Sequence, residues 1–380
     1  MEMLKLPRVV LGLISLGVLM LVGCGGGSSD VPPKASIGKV YVMGDSLADV
    51  GTFGYKFTVQ NASDPKGYLI WPQLIANAFG LNGNTQCNFY TYQASSFGPN
   101  STAGCTNFAI GGGKIVVNAS SGGVTNPQTI GTQLAQKVTV LGNYSSTDLV
   151  LIDGGGNDMA DLLTAQLSGA AAYQAFLAQQ LDASTITAAL TQDATGASAA
   201  AAYMQTLATN FYNQIKTQTL DKGATHVGVL NMPDITLTPE VKAVLAQVQT
   251  SQGGASAQAL QAGVRAWTMA YNSKLKTLIG NDSRVALIDF YADLTDEVTN
   301  PSNYSLTNAQ DMACPATGYA VNSNEYNFSL CTDAALDATT GKTAGWWKTY
   351  AFSDGFHPTP YGHQLLAASV SRALSRAGWL

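Results

Sequence analysis

Three histidines limit where this chain can carry out proton-transfer chemistry: His226, His357 and His363. His357 lies three residues after Asp354, in the segment FSDGFHPTPYGH, which is typical of a loop that enters a helix. An aspartate and a histidine on one turn can hydrogen-bond, which leaves the second ring nitrogen free to take a proton from a hydroxyl. His226 opens a predicted strand and His363 lies inside a predicted helix, so we expect both to be structural.

The hydroxyl that could partner such a histidine is that of Ser46, in the segment VMGDSLADVG. Ser46 follows an apolar run that predicts a strand, and taken alone a serine after Gly-Asp is more often a turn residue than a nucleophile. Asp45 and Asp49 are expected to hold this loop through side-chain to backbone hydrogen bonds. Whether Ser46 is a turn residue or a nucleophile therefore depends on whether the fold brings it close to His357.

Five continuous apolar runs are typical of strands buried on both faces of a parallel sheet. They cover residues 38–43, 106–110, 148–153, 225–231 and 284–290. Helical patterns at residues 203–215 and 260–278 alternate with them, and a closing helix is predicted at 360–377. This alternation predicts an α/β fold, a three-layer α/β/α sandwich with a central, mostly parallel five-stranded sheet.

The carboxyl ends of such strands are where ligands bind, because the loops that meet there form a crevice. The first three predicted strands end in glycine, which allows the backbone to approach a ligand closely. Residues 160–202 are rich in alanine and glutamine and predict a helical insertion on this core.

The composition is that of a globular, mildly acidic protein. Hydrophobic residues make up 46% of the chain, charged residues 11%, and the formal net charge is −5. A low fraction of charged residues and a high fraction of hydrophobic residues argue against disorder. The negative net charge argues against a nucleic-acid partner. We expect a monomer.

The first residues predict export. Residues 1–23 have a positive flank and an uncharged stretch too short to span a bilayer, as in a signal peptide. Residues 21–24, LVGC, resemble the lipobox of bacterial lipoproteins, so Cys24 would carry a lipid and residues 24–36 would form a tether. An ordinary secretory signal is the alternative. The expected protein is a membrane-anchored lipoprotein on the periplasmic or cell-surface face, with one domain at 37–380.

Four further cysteines predict disulfides, because an even count is typical of an exported chain. Three pairings are possible. We favour Cys87–Cys105 and Cys314–Cys331, because both intervals have the composition of irregular loops. No pair has the close spacing of zinc ligands, so no metal site is expected.

Four segments together resemble the sequence blocks of the GDSL lipases and esterases, part of the SGNH-hydrolase superfamily. They are GDSLADVG at 44–51, NFAIGGG at 107–113, GGGND at 154–158 and DGFHPTPYGH at 354–363. The blocks occur in the family's order and span nearly the whole predicted domain. The resemblance implies a flavodoxin-like fold of the kind described above.

The resemblance also implies roles for individual residues. Ser46 would be the nucleophile, His357 the general base and Asp354 the acid that orients it. The oxyanion hole would combine the N–H of Ser46, the N–H of Gly112 and the side-chain amide of Asn157. Gly111 is the alternative to Gly112, because the triple glycine leaves the register open.

The implied activity is hydrolysis of a carboxylic ester, as by an esterase, lipase or lysophospholipase, through an acyl-enzyme intermediate and without a cofactor. A carbohydrate O-deacetylase is the alternative enzyme. A non-catalytic surface binding lipoprotein is the alternative of a different class. An apolar groove under the 160–202 insertion would favour a lipase, and a polar pocket would favour the deacetylase.

Several other residues near the blocks have expected roles. Asp158 is expected to cap the helix that follows it. Asp153 departs from the family, whose members tend to carry an apolar or aromatic residue there; it would bind a substrate hydroxyl or be paired, and both readings stay open. Trp71 is expected in the core, whereas Trp346 and Trp347 would either pack or line an acyl pocket.

Overall fold

The structure is a computed structural model that describes residues 35–83, 86–193, 195–314 and 328–380. The predicted signal peptide, Cys24 and the tether up to residue 34 lie outside the described residues. Their assignment therefore stays a prediction. Everything described belongs to one compact unit, Lys34–Leu380.

The strands, in chain order, are β1 (Lys39–Met43), β2 (Tyr90–Gln93), β3 (Ser96–Pro99), β4 (Asp148–Ile152), β5 (His226–Leu230), β6 (Val285–Ile288), β7 (Asn308–Met312) and β8 (Tyr350–Phe352). The helices are α1 (Trp71–Ala78), α2 (Ile130–Leu141), α3 (Gly156–Leu167), α4 (Ala170–Leu177), α5 (Ala183–Gln192), α6 (Ala197–Gln218), α7 (Pro239–Gln252), α8 (Gly254–Ile279), α9 (Phe290–Thr299), α10 (Asp333–Asp337) and α11 (Pro360–Arg376).

The central sheet is parallel and has the order β1-β4-β5-β6. Met43 lies opposite Ile152, and Ile152 lies opposite Val229, so the carboxyl ends of the strands are level. Because the strands are buried and apolar, they form the middle layer, as the sequence predicted. The predicted α/β fold with a mostly parallel central sheet is confirmed.

The predicted strand at 106–110 lies beside β1 but is irregular. The Phe108 N–H donates to the Val42 carbonyl at 2.7 Å, and the Val42 N–H donates to the carbonyl of Thr106 at 3.1 Å. The Asn107 side chain then accepts from the Ala109 N–H at 3.0 Å. The Gly44 N–H, which would continue the parallel pairing, donates instead to the Gln133 side chain at 2.8 Å. Residues 106–110 therefore form a single bridge with β1, and the central sheet of the described residues has four strands where five were predicted.

Helices cover both faces of the sheet, and the side-chain alternation of the strands decides which face each residue meets. Tyr41, Val150 and Val227 pack in one core with residues of α2, α3, α6 and α8. Val40 and Leu149 pack in a second core with residues of α1, α9 and α11. The three layers are thus helices, sheet and helices.

The segment 160–202 is helical, as predicted: it contains most of α3, all of α4 and α5, and the start of α6. Both predicted disulfides are present, Cys87–Cys105 and Cys314–Cys331. The second adjoins the sheet β7-β8, where the Cys314 N–H donates to the Ser353 carbonyl at 2.7 Å. No helix in the described part of the chain is long and apolar enough to cross a membrane.

Candidate active site

Ser46 lies in the turn that follows β1, with 9% of its surface exposed. The turn is held by its own aspartates, as predicted. Asp45 Oδ1 accepts the Leu47 N–H at 3.0 Å, and the buried Asp49 accepts the N–H groups of Gly51 and Thr52. These local bonds fix the turn and set Ser46 at the carboxyl edge of the sheet.

His357 and Asp354 lie in the loop between β8 and α11, and their side chains are in contact. His357 Nδ1 lies 2.8 Å from Asp354 Oδ2. Asp354 is buried, and its Oδ1 accepts the N–H groups of Phe356 at 2.9 Å and His357 at 2.6 Å. The carboxylate therefore both shapes the turn and orients the imidazole ring.

The fold brings His357 to Ser46: the Nε2 of the ring lies 2.7 Å from the serine Oγ. The loop carrying His357 is fixed from behind, because Thr58 and Ser353 both donate to the Pro358 carbonyl, at 2.8 and 2.9 Å. Ser46, His357 and Asp354 thus form a continuous chain of hydrogen bonds.

The electrostatics suit a proton acceptor at His357. Burial of the ring alone lowers the pKa of His357, but the charge of Asp354 and the hydrogen bond to it outweigh burial, so the pKa is raised above 6.5. A carboxylate that stabilises the imidazolium is what a general base needs when it takes a proton from a serine.

The backbone N–H groups near Ser46 distinguish the two candidate glycines. The Gly111 N–H donates to Asp49 Oδ2 at 2.9 Å, so it is already used. Within the described ranges, no hydrogen bond from the N–H of Ser46 or Gly112 is found. Gly112 also has a φ of +76°, a conformation that favours glycine. Geometry therefore favours Gly112 over Gly111 as an oxyanion donor.

Asn157, on the first turn of α3, faces the same space. Its Nδ2 donates to the Gly113 carbonyl at 3.0 Å and, at the limiting distance of 3.5 Å, to Asp45 Oδ2. The longer contact is weak, so that N–H is available to a stronger acceptor such as an oxyanion.

The prediction for Asp158 is wrong. It lies in the first turn of α3, but the cap position is Gly155, which makes no side-chain cap. The Asp158 carboxylate instead accepts the N–H groups of Ile115 and Val116 at 3.0 and 3.1 Å. It therefore ties a distant loop to α3, and burial raises its pKa to about 7.

The remaining predicted residues lie apart from the reacting atoms. His226 contacts Trp379 at the start of β5, and His363 is fully buried in α11. Trp71 is fully buried, as expected. Trp347 packs against Tyr68 in a small satellite core together with Trp346, so the tryptophan pair has a packing role.

Sequence reasoning missed an aromatic wall beside His357. Phe57 and Phe328 flank the imidazole, with ring centroids 5.1 and 5.5 Å away. Phe53 and Tyr55 extend this wall outward. The alternation FGYKF at 53–57, with aromatics at every second position, was the available signal, because in an extended chain such residues share one face.

A cavity of about 870 Å³ opens at Ser46 and His357 and reaches under the helical insertion. Apolar side chains line that part together with two polar side chains and an ion pair, so its wall is partly apolar: Val116, Ala160, Leu163 and Phe176, with Thr164, Gln179 and the pair Lys114–Asp161. Within the residues described, no group of three histidine, cysteine or acidic side chains could hold a metal ion.

The fold and site define a class: an α/β protein with a Ser–His–Asp arrangement at the carboxyl edge of its sheet. The family model described as GDSL-like lipase/acylhydrolase matches residues 40–370. The chain belongs to the GDSL-like lipase/acylhydrolase family, which is consistent with an ester hydrolase.

The known proteins that are similar to this chain include the following two. A GDSL esterase/lipase of Arabidopsis thaliana is 29% identical over 156 residues, which cover 39% of this chain and only 37% of that protein. The crystal structure of phospholipase A1 from Streptomyces albidoflavus NA297 has 15% identity and a TM-score of 0.38, over 89% of this chain and 99% of that one.

Proposed function

We propose that this chain is a serine carboxylic ester hydrolase that acts on esters with a long apolar acyl chain. The observation that carries the proposal is the 2.7 Å contact between Ser46 Oγ and His357 Nε2, backed by Asp354 and open to the cavity. Membership of the GDSL-like lipase/acylhydrolase family supports it.

In the proposed mechanism, His357 Nε2 takes the proton of Ser46 as Oγ attacks the ester carbonyl carbon. The carbonyl π-bond electrons move to oxygen, which accepts hydrogen bonds from the N–H groups of Ser46 and Gly112 and from Asn157. Collapse of this intermediate breaks the bond to the alcohol oxygen, which receives the proton from His357. Water then repeats the sequence on the acyl-enzyme and releases the acid.

The preference for a long acyl chain rests on the apolar wall under the insertion. Apolar surface removed from water stabilises by about 25 cal/mol per Å², so each methylene seated there strengthens binding. A carbohydrate O-deacetylase remains the second enzyme candidate; the polar Asn118 and Asn126 at the cavity support it.

The test is a panel of p-nitrophenyl esters from acetate to palmitate, together with an acetylated sugar. Ala160→Trp, which fills the cavity under α3, is expected to lower kcat/KM for palmitate at least about tenfold and to spare acetate. Ala171→Trp, at an exposed site on α4 outside the cavity, is the matched control. Ester turnover at the wild-type rate in Ser46→Ala would refute the assignment of Ser46 as the nucleophile. A preference of the wild-type protein for the acetylated sugar would favour the deacetylase.

We further propose that the protein is exported and anchored through a lipid on Cys24. The LVGC segment at 21–24 and two disulfides support this. Mass analysis of the mature N-terminus from the native host tests it. The proposed lipid anchor would be overturned if Cys24 carried no lipid, whether it is the first residue of the mature chain or lies further inside it.

A further inference from the structure

Two carboxyl groups that the proposed mechanism does not use lie side by side next to Ser46. Asp45 and Asp153 are 5% and 2% exposed and come from the ends of β1 and β4. Asp153 Oδ1 accepts the Asp45 N–H at 3.2 Å. Asp153 Oδ2 is buried and receives no N–H or hydroxyl hydrogen bond from any described residue. Such an acceptor is costly unless it carries a proton itself.

The electrostatics of the pair put that proton on Asp153. Burial and then the charge of Asp45 raise the pKa of Asp153 well above its ordinary value. Burial also raises the pKa of Asp45, but the Leu47 N–H, His357 and a hydrogen bond with the Asp153 side chain oppose this rise. Two adjacent buried carboxyls do not both ionise. Asp153 is therefore the donor, and Asp45 the accepting carboxylate.

The Asp153 carboxyl packs closely against the end of β1. A Cβ on Gly44 would lie 1.3 Å from Asp153 Oδ1, so the carboxyl rests against the bare backbone at the end of β1. The Gln133 side chain accepts the Gly44 N–H at 2.8 Å and donates to its carbonyl at 3.0 Å. Asp153 therefore packs against Gly44, which lies two residues before Ser46 in the chain.

The acceptor Asp45 also faces Asn157. Its Oδ2 lies 3.5 Å from Asn157 Nδ2, the amide offered above to the oxyanion. A carboxylate that lacked another donor would compete with an oxyanion for this N–H, because charged acceptors form the stronger hydrogen bonds. A proton from Asp153 satisfies Asp45 and weakens that competition.

We propose that Asp153 is a positioning residue: as a protonated acid it donates to Asp45, and so leaves the Asn157 amide free for the oxyanion. This inference rests on the proposed ester hydrolase function. Asp153 touches no reacting atom in this scheme and acts only through Asp45.

The scheme has a consequence for pH. When Asp153 ionises, a second buried negative charge appears beside the place where the oxyanion forms, so kcat falls as the pH rises through the pKa of Asp153. Asp45 and Asp153 face each other, and the other ionisable group that faces them is His357, in the loop before α11. The neighbours from α2 and α3, Gln133 and Asn157, are uncharged.

The experiment compares Asp153→Asn with Asp153→Leu in the full-length protein, using p-nitrophenyl butyrate. Asparagine keeps the donor but cannot ionise, so we expect kcat at neutral pH within about twofold of wild type and no alkaline fall. Leucine removes the donor; we expect kcat to fall about 10- to 100-fold with KM nearly unchanged, since one lost oxyanion donor costs about 10²–10³.

Two controls separate this inference from the proposed function. Stoichiometric labelling of Ser46 by a fluorophosphonate counts intact sites, so wild type that neither labels nor turns over ester would overturn the proposed function itself. Glu297→Gln removes a distant buried acid on α9 and should keep the alkaline fall.

Three results would overturn the role of Asp153 while leaving the hydrolase intact. They are an unchanged kcat in fully labelled Asp153→Leu, an alkaline fall that persists in Asp153→Asn, or equal losses of kcat in both variants. If Asp153→Leu does not fold, the pH profile of Asp153→Asn decides alone.

Discussion

Gly44→Ala tests the packing of the buried acid pair most directly. The new Cβ would lie 1.3 Å from Asp153 Oδ1 and 2.5 Å from its Cγ, whereas ordinary contact begins at 3.4 Å. One group must move by about 2 Å, and the Gln133 side chain holds Gly44 in place on both sides. Asp153 must therefore give up its bonds to Asp45.

The expected cost combines two effects. Overpacking a buried site costs about 1–3 kcal/mol, and breaking a buried hydrogen bond so that its partner is unsatisfied costs about 1–3 kcal/mol. Gly44→Ala should thus lower the free energy of unfolding by about 2–6 kcal/mol. In an Asp153→Ala background the same change should cost less than about 1 kcal/mol, because the φ of Gly44 is not in the left-handed region that disfavours alanine.

Urea unfolding of the four proteins in this double-mutant cycle measures the coupling, which we expect to be at least about 2 kcal/mol. Gly38→Ala is the matched control just before the other end of β1. Its Cβ would meet Thr147 at 3.7 Å, an ordinary contact, so stability should change by less than about 0.5 kcal/mol. Additive effects of Gly44→Ala and Asp153→Ala would refute the packing described here.

Three further predictions concern the triad, the disulfides and a buried acid. Asp354→Asn should lower kcat about 10⁴-fold with KM little changed, because the amide favours the wrong tautomer of His357; a loss under tenfold would contradict this. Replacing Cys87 and Cys105 by serine should cost about 3 kcal/mol in urea unfolding, from the loop of 18 residues that they close; equal midpoints with and without the bond would contradict it. Burial and repulsion from neighbouring acids raise the pKa of Glu297 to about 8. Its contribution to stability is full below 4.5 and is lost as the pH rises through 8, so wild type should lose stability relative to Glu297→Gln over that window, and parallel pH profiles would disprove it.

The sequence predicted the sheet where the signal is local. The strands β1, β4, β5 and β6 were predictable because their own residues are apolar and buried. The helix α11 was predictable from its own residue pattern, which begins at Pro360. The run at 106–110 looked the same, yet the Gly44 N–H that would pair with it donates to the Gln133 side chain, 89 residues away, and interrupts the pairing. One polar residue, whose partners are set by the fold, made that difference.

The site shows the same limit. The resemblance of four sequence blocks to a known family indicated the serine, histidine and aspartate. The choice between Gly111 and Gly112 depends on Asp49, 62 residues before Gly111, which takes one of the two N–H groups. The partner of Asp153 likewise lies 108 residues away. No local pattern contains such contacts, because only the folded sheet brings the residues together.

The order in which the chain is made has a consequence for when this site exists. Ser46 and His357 are 311 residues apart. At about 5–20 residues per second, a ribosome adds the serine to the chain roughly 15–60 s before it adds the histidine. A nascent or truncated chain would therefore contain the proposed nucleophile without its proposed base. A chain that ends before residue 357 would therefore be inactive in the proposed ester hydrolysis.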